Sequence, residues 1–167
     1  AMNGSGTAPM GLFAVSLRDK GHNHVPNRSV EAITVPGAID AFCQLSEDWG
    51  KLSLDALLAP AIHYAKEGIP VAPRVAHDWE QAIQKLHPST LNKFSRSGKA
   101  LNVGDNFAAI GQAEVLNKIA QVGRDGFYRG DVAKDMVSSL KALGGKHTME
   151  DFAEQRAFYS KPISGSY

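Results

Sequence analysis

Cysteine is almost missing from this 167-residue chain. The single thiol, Cys43, rules out an internal disulfide and any zinc site built on several cysteines. It lies in the apolar stretch Ala41-Phe42-Cys43-Gln44-Leu45, which predicts a buried, inert thiol rather than a nucleophile. One cysteine fits a reducing compartment and favours the cytoplasm over the periplasm. Long apolar runs are missing too: nothing approaches the roughly 18 residues that span a bilayer. Clusters of one charge are also lacking. Lys and Arg number 18, Asp and Glu 17, for a net charge of +1, and the closest basic pair, Arg18 and Lys20, flanks Asp19. Such a surface has no field to draw nucleic acid or an anionic membrane, so neither is expected as a partner. The opening Ala1-Met2-Asn3-Gly4-Ser5-Gly6 has neither the basic nor the apolar region of a signal peptide. It reads as mid-protein sequence, and the end breaks off inside what looks like a strand.

Hydrophobic residues make up 43% of the chain and charged residues 21%, enough for the core and solvated surface of one ordinary domain. Leu12–Leu17 is a short apolar run, either a strand or a first helical turn. Residues 18–28 are polar and predict a loop. Val30–Val35 alternates, is rich in β-branched residues and predicts a short strand. Pro36 is placed to open a helix carrying Ile39, Phe42, Cys43 and Leu45 and ending at Gly50. Ser53 caps the next, with Leu57, Leu58, Ala61, Ile62 and Ala65 on one face; Pro60 should kink or divide it, and Gly68 should end it. A further helix starts near Arg74 and carries Val75, Trp79, Ile83 and Leu86. Residues 88–106 look irregular. Later helices are expected with stripes Val115, Leu116, Ile119, Ala120 and Val132, Met136, Leu140, Leu143. Thr148 with Asp151 three residues on predicts an N-capped short helix. Tyr159–Tyr167 alternates like a strand.

Read for chemistry alone, the chain offers no nucleophile with its base. The histidines His22, His24, His63, His77, His87 and His147 are scattered. His22 and His24 lack a third ligand at a metal-site spacing and read as part of a solvated loop. Glu47 and Asp48 are helix neighbours that point about 100° apart, so they form no dyad. Gly4-Ser5-Gly6 is too short for a phosphate loop, since no Lys-Ser/Thr follows; a tight turn or a ligand-facing loop both fit. The aromatics of Gly126-Phe127-Tyr128-Arg129-Gly130 read as a packing plug rather than a stacking platform.

The order of motifs carries more. Val35-Pro36-Gly37-Ala38, Trp49-Gly50-Lys51-Leu52-Ser53-Leu54, Leu58-Ala59-Pro60-Ala61-Ile62 and Ala65-Lys66-Glu67-Gly68-Ile69-Pro70-Val71 come in sequence. They are followed by Phe127-Tyr128-Arg129-Gly130, by Gly144-Gly145 with Thr148 and Glu150-Asp151, and by Pro162-Ile163-Ser164-Gly165-Ser166-Tyr167. Together they resemble the large chain of the gamma-glutamyltranspeptidase family over essentially all 167 residues. The resemblance implies a mainly α architecture, a helical lobe whose short terminal strands belong to an αββα N-terminal-nucleophile hydrolase core. It implies three regions: 1–35, a lead-in near the substrate pocket; 36–158, a helical subdomain; and 159–167, the start of a strand returning to the core. It further implies a precursor that cuts itself before a threonine, which then serves as nucleophile with its own amine as base. That threonine belongs to a small chain, the expected partner, so no catalytic residue is assigned here and Thr7, Thr34, Thr90 and Thr148 are internal. Neither metal nor organic cofactor is implied.

One substrate position carries over. True transpeptidases of the family place an Arg-Glu pair shortly before an Ala-Pro, the Arg binding the substrate α-carboxylate. Aligned on Ala8-Pro9, those positions hold Ser5 and Gly6. A hydroxyl cannot replace the two charge-assisted bonds of a guanidinium fork. The chain therefore resembles the divergent amidohydrolase branch, with oxamate-like or acylase-type small amides as substrates. A cationic partner for such a substrate would come from Arg18, Arg28 or the small chain. A turn at Ser5 without substrate contact, a true glutathione hydrolase or transferase, and a scaffold without activity stand beside this expectation.

Overall fold

The computed structural model describes residues 1–166 and is built mainly from helices. In chain order they are α1 (Ala14–Asp19), α2 (Ala38–Trp49), α3 (Leu54–Glu67), α4 (Pro73–Ile83), α5 (Pro88–Leu91), α6 (Ile110–Val122), α7 (Asp125–Tyr128), α8 (Asp131–Ala142) and α9 (Met149–Glu154). Among the described residues four two-residue strands accompany them: β1 (Met2–Asn3), β2 (Ile69–Pro70), β3 (Asn106–Phe107) and β4 (Phe158–Tyr159). The chain forms two compact units, residues 1–57 with 117–166, and residues 58–116.

In the first unit β1 and β4 pair antiparallel, Met2 opposite Tyr159 and Asn3 opposite Phe158. The ammonium of Ala1 donates to the Ser160 carbonyl (2.9 Å), and the Ser160 N–H donates back to Ala1 (2.8 Å). Beyond Ser160 no strand continues among the described residues, so the expected strand over 159–167 shrinks to one pair; Tyr167 lies outside the described residues. Val30–Val35 is not a strand either. Val30–Ala32 forms a 3₁₀ turn, and the Val35 N–H bonds to the Thr7 carbonyl (2.9 Å) without a ladder. β propensity needs a partner strand to act on, and among the described residues none pairs with it. The Leu12–Leu17 run resolves as the helical alternative, α1.

The core of this unit holds Val35, Ala41, Cys43, Ile119, Phe127, Tyr128, Ala133, Val137, Phe152 and Ala157. Phe127 and Tyr128 form the expected plug, their rings edge to face at 4.9 Å. Two helices are turned relative to the expected stripes. In α2, Phe42 and Leu45 are exposed while Asp40, Ala41 and Cys43 are buried. In α8, Ala133 and Val137 are buried and Leu143 is exposed. Small residues permit close helix approach, and Asp40 is drawn inward by charge pairing described below. Helix α9 starts as predicted. The Thr148 hydroxyl accepts from the Asp151 N–H (3.1 Å), and the Asp151 carboxylate accepts from the Thr148 N–H (2.8 Å).

The second unit is held by Val71, Ile83, Leu101 and Ala113 and by an aromatic trio. The Trp79 ring meets Phe107 edge to face at 4.9 Å, and Phe94 stacks on Phe107 at 6.0 Å. The indole N–H donates to the Phe94 carbonyl (2.8 Å). β2 and β3 pair antiparallel, Ile69 opposite Phe107. The 88–106 stretch that looks irregular in sequence contains α5 and the start of β3. Pro60 sits inside α3 without dividing it. Among the described residues no helix is long and apolar enough to cross a membrane.

Candidate functional site

The segment Asn3–Pro9 carries Ser5 and Gly6, and three glycines decide its course. A Cβ added to Gly4 would lie 2.7 Å from that of Ala41; one on Gly6 would overlap the Val35 carbonyl; one on Gly37 would overlap the Gly4 carbonyl. Backbone therefore lies directly on backbone, which only glycine allows. The Asn3 side chain accepts from the Ser5 N–H (2.9 Å), closing an Asx turn that leaves Ser5 exposed. The two positions expected to face substrate thus differ sharply. Ser5 has open space, whereas Gly6 has none for any side chain in this backbone.

A buried amide supports the segment from beneath. Gln155 is 2% exposed. Its Oε1 accepts from the Thr7 N–H (3.1 Å) and the Thr7 hydroxyl (3.3 Å), and its Nε2 donates to the Ser5 carbonyl (3.2 Å). The main chain of Gln155 is itself tied down. Arg124 Nη2 donates to the Gln155 carbonyl (2.6 Å) and to the Ala153 carbonyl (3.0 Å). Arg124 Nε donates to Asp40, whose other oxygen accepts from the Ala157 N–H (2.5 Å). Asp40 and Arg124 are largely buried, and the guanidinium also sits over the Tyr128 ring, 4.6 Å from its centre. The Tyr128 hydroxyl donates to the Pro36 carbonyl (2.6 Å) and accepts from the Asp40 N–H (3.1 Å). Burial pushes this phenol above its ordinary range, with the Asp40 charge adding to the rise, so it stays protonated and able to donate.

Further along, the Met10 N–H donates to Asp151 (2.9 Å). Burial would raise the Asp151 carboxyl. Hydrogen bonds from the Met10 and Thr148 N–H groups and the Thr148 hydroxyl, with the nearby His147, outweigh it and hold the group below the usual range. His147 is buried, and its Nε2 lies 2.9 Å from the Ile33 carbonyl. A carbonyl only accepts, so Nε2 carries the proton; Nδ1 has no partner among the described residues. This ring lines a cavity of about 210 Å³ with Leu12, Leu17, Lys20, Glu31 and Lys146. The Lys20 ammonium, helped by the Glu31 backbone N–H and the Ser29 hydroxyl, holds the Glu31 carboxyl down to about 2. A larger groove of about 640 Å³ lies wholly in the second unit, among His77, Glu80, Arg96, Lys99, Asn102 and Asp105.

The remaining candidates stay apart. Arg18 and Arg28 are exposed, and among the described residues no hydrogen bond or ion pair ties either to Ser5. His22 and His24 are exposed in their loop. Cys43 is buried and free, and burial, with Glu47 and Asp40 nearby, raises its thiol out of the reactive range. No sequence feature marked Gln155, Arg124 or Asp40, and Tyr128 read only as part of a packing plug, not as a hydrogen-bond partner of Pro36 and Asp40. The glycines at 4 and 6 marked only a tight turn or a ligand-facing loop, and nothing in the sequence named the partners.

Comparison with known proteins bears on this arrangement. A family model described as Gamma-glutamyltranspeptidase matches residues 1–167. The chain is 38% identical over 170 residues to the glutathione hydrolase-like YwrD proenzyme of Bacillus subtilis, covering 99% of this chain and 32% of that protein. It is 32% identical over 172 residues to the oxamate amidohydrolase proenzyme of Klebsiella pneumoniae, covering 98% of this chain and 32% of the relative. The crystal structure of a cephalosporin acylase from Bacillus halodurans superposes with a TM-score of 0.93 at 36% identity, over 99% of this chain and 33% of that one. The chain thus spans about a third of the length of these proteins. Its mainly helical build with short strands is that of the matching third of the acylase, and the whole-chain match makes it a member of the gamma-glutamyltranspeptidase family.

Proposed function

We propose that this chain is the large-chain part of an autoprocessed amidohydrolase that acts on a small amide rather than on gamma-glutamyl donors. The observation that carries the reading is the pairing of Ser5 with Gly6 where transpeptidases hold Arg and Glu. Gly6 lies against the Val35 carbonyl with no room for a carboxylate side chain, and Ser5 offers only a hydroxyl. Losing a buried guanidinium–carboxylate pairing costs about 2–5 kcal/mol, so a gamma-glutamyl α-carboxylate would be poorly held. Among the relatives, one is named an oxamate amidohydrolase and one an acylase, which supports the small-amide reading, while a third is named glutathione hydrolase-like; the first and third are proenzymes.

In this reading residues 1–35 lead into the substrate pocket and present Ser5 and Gly6 to it. Residues 36–158 form the helical support, and 159–167 return toward the core. The partner is a small chain of the same precursor carrying the nucleophilic threonine. Its hydroxyl attacks the amide carbon with its own amine taking the proton, that proton passes to the substrate nitrogen, which leaves as ammonia or an amine, and water then releases the acyl group. Oriented N–H donors hold the tetrahedral oxyanion. This segment supplies none of the reacting atoms; its share is the shape and polarity of one wall.

The full-length precursor tests this. It should split into two chains during folding and hydrolyse oxamate or simple acyl amides faster than it releases amine from a gamma-glutamyl anilide. Absence of self-cleavage counts against the enzyme reading. Preference for the anilide selects a glutathione hydrolase with a relocated cation, consistent with the name of the Bacillus subtilis relative.

A further inference from the structure

We infer that Gln155 is a positioning residue for the substrate wall, setting the Ser5–Thr7 backbone through its side-chain amide. The inference rests on the reading that this segment faces the pocket. A primary amide offers one acceptor oxygen and one donor nitrogen, each with two bonds to give. Here both ends are in use on one short segment. The oxygen receives the Thr7 N–H and hydroxyl, and the nitrogen gives to the Ser5 carbonyl and, at 3.4 Å, to the Arg156 carbonyl. The demands on the two ends are opposite, since the Thr7 N–H needs an acceptor and the Ser5 carbonyl needs a donor. A carboxylate meets the first and opposes the second. A hydrocarbon meets neither.

The base of this clamp is rigid. Arg124 fixes the Gln155 carbonyl, and Asp40 fixes Arg124 and the Ala157 N–H, so residues 153–157 are tied to the start of α2. From above, Gly4, Gly6 and Gly37 leave the segment no slack toward Val35. Ser5 is the exposed residue between these constraints. Gln155 lies under the wall and touches no substrate. Its effect is therefore on how substrate is held, and it leaves the chemistry of the nucleophile alone.

The test uses the full-length, self-cleaved protein with three variants: Gln155→Glu, Gln155→Met and Ser5→Tyr. Substrates are oxamate and the gamma-glutamyl anilide. For whichever is turned over, Gln155→Glu should raise KM about tenfold with kcat within about twofold, because the part-buried Ser5 carbonyl loses its donor. Amide hydrogen exchange supplies a readout independent of activity. The Thr7 N–H should stay protected in Gln155→Glu and exchange at least about tenfold faster in Gln155→Met. If Ser5→Tyr shifts KM while neither Gln155 variant does, the clamp is overturned and the pocket reading survives. If no variant moves KM, the segment is not the substrate wall and both fall. Should Gln155→Glu not fold, Gln155→Met decides by the same two readouts. Should wild type turn over neither substrate, unchanged Thr7 exchange in Gln155→Met overturns the clamp, and faster exchange upholds it.

Discussion

The two units are held together by different physics. In the first, charged and polar side chains are buried in the core: Asp40, Asp151 and Gln155 each meet several partners, and His147 bonds to the Ile33 carbonyl. In the second, the ion pairs among the described residues, Arg74–Asp78 and Arg96–Asp105, lie toward the surface, and the interior rests on a few aliphatic residues and the trio Trp79, Phe94 and Phe107. Buried polar groups fix geometry because each unmade bond is costly, whereas aromatic contacts tolerate small displacements. The unit that carries Ser5 and Gly6 is the one built for fixed geometry.

The largest test of that contrast is removal of Asp40. Arg124 Nε and the Ala157 N–H would lose their acceptor inside the protein. Breaking a buried pair by deleting one partner costs about 3–5 kcal/mol, and the 17% exposure of Arg124 places this case near the lower end. Asp40→Ala in the full-length protein should therefore lower the denaturation midpoint markedly. It should also free the Gln155 segment to exchange its amides. A loss below about 1 kcal/mol would mean that the buried web is no firmer than the surface pairs of the other unit.

How much of this was legible in advance follows the range of the interactions. The Thr148 cap, the Phe127–Tyr128 plug, the buried Cys43 and most helix positions involve neighbours in sequence, and composition and spacing reveal them. Gln155 bonds to Thr7 across 148 positions and Arg124 to Asp40 across 84, and no local pattern marks such pairs. Periodicity even misled at α2. It assumed that the apolar face turns inward, whereas the charge pairing of Asp40 turned the helix and left Phe42 and Trp49 outside. Val30–Val35 failed for a related reason, since strand propensity is expressed only beside another strand. The order of motifs along the chain, by contrast, was enough to place the family.

A smaller effect is expected at Asp151, where the comparison can be sharpened by pH. Asp151→Ala removes the cap partner of α9 and the acceptor of the Met10 N–H, at a cost of about 1–2 kcal/mol near neutrality. The folded carboxyl sits below its ordinary value, so its contribution is complete above the unfolded range near pH ~4 and fades as pH falls through the folded value. Wild type and variant should differ at pH 7 and converge in acid. A gap constant from pH 7 to strong acid would mean that the carboxylate charge does not contribute.

The smallest effect belongs to the second unit. Arg74 and Asp78 form an i,i+4 pair on α4 at 2.8 Å, but the side chains are 83% and 56% exposed. Water screens them, and two long side chains must be ordered to make one contact, so such pairs contribute about 0.3–0.5 kcal/mol. Arg74→Ala should leave the denaturation midpoint almost unchanged, and added salt should erase what difference there is. The pair and the Asp40–Arg124 contact are both single Arg–Asp bridges. An effect at Arg74 approaching that at Asp40 would show that burial is not what separates the two units, and the buried clamp under Ser5 would lose its physical basis.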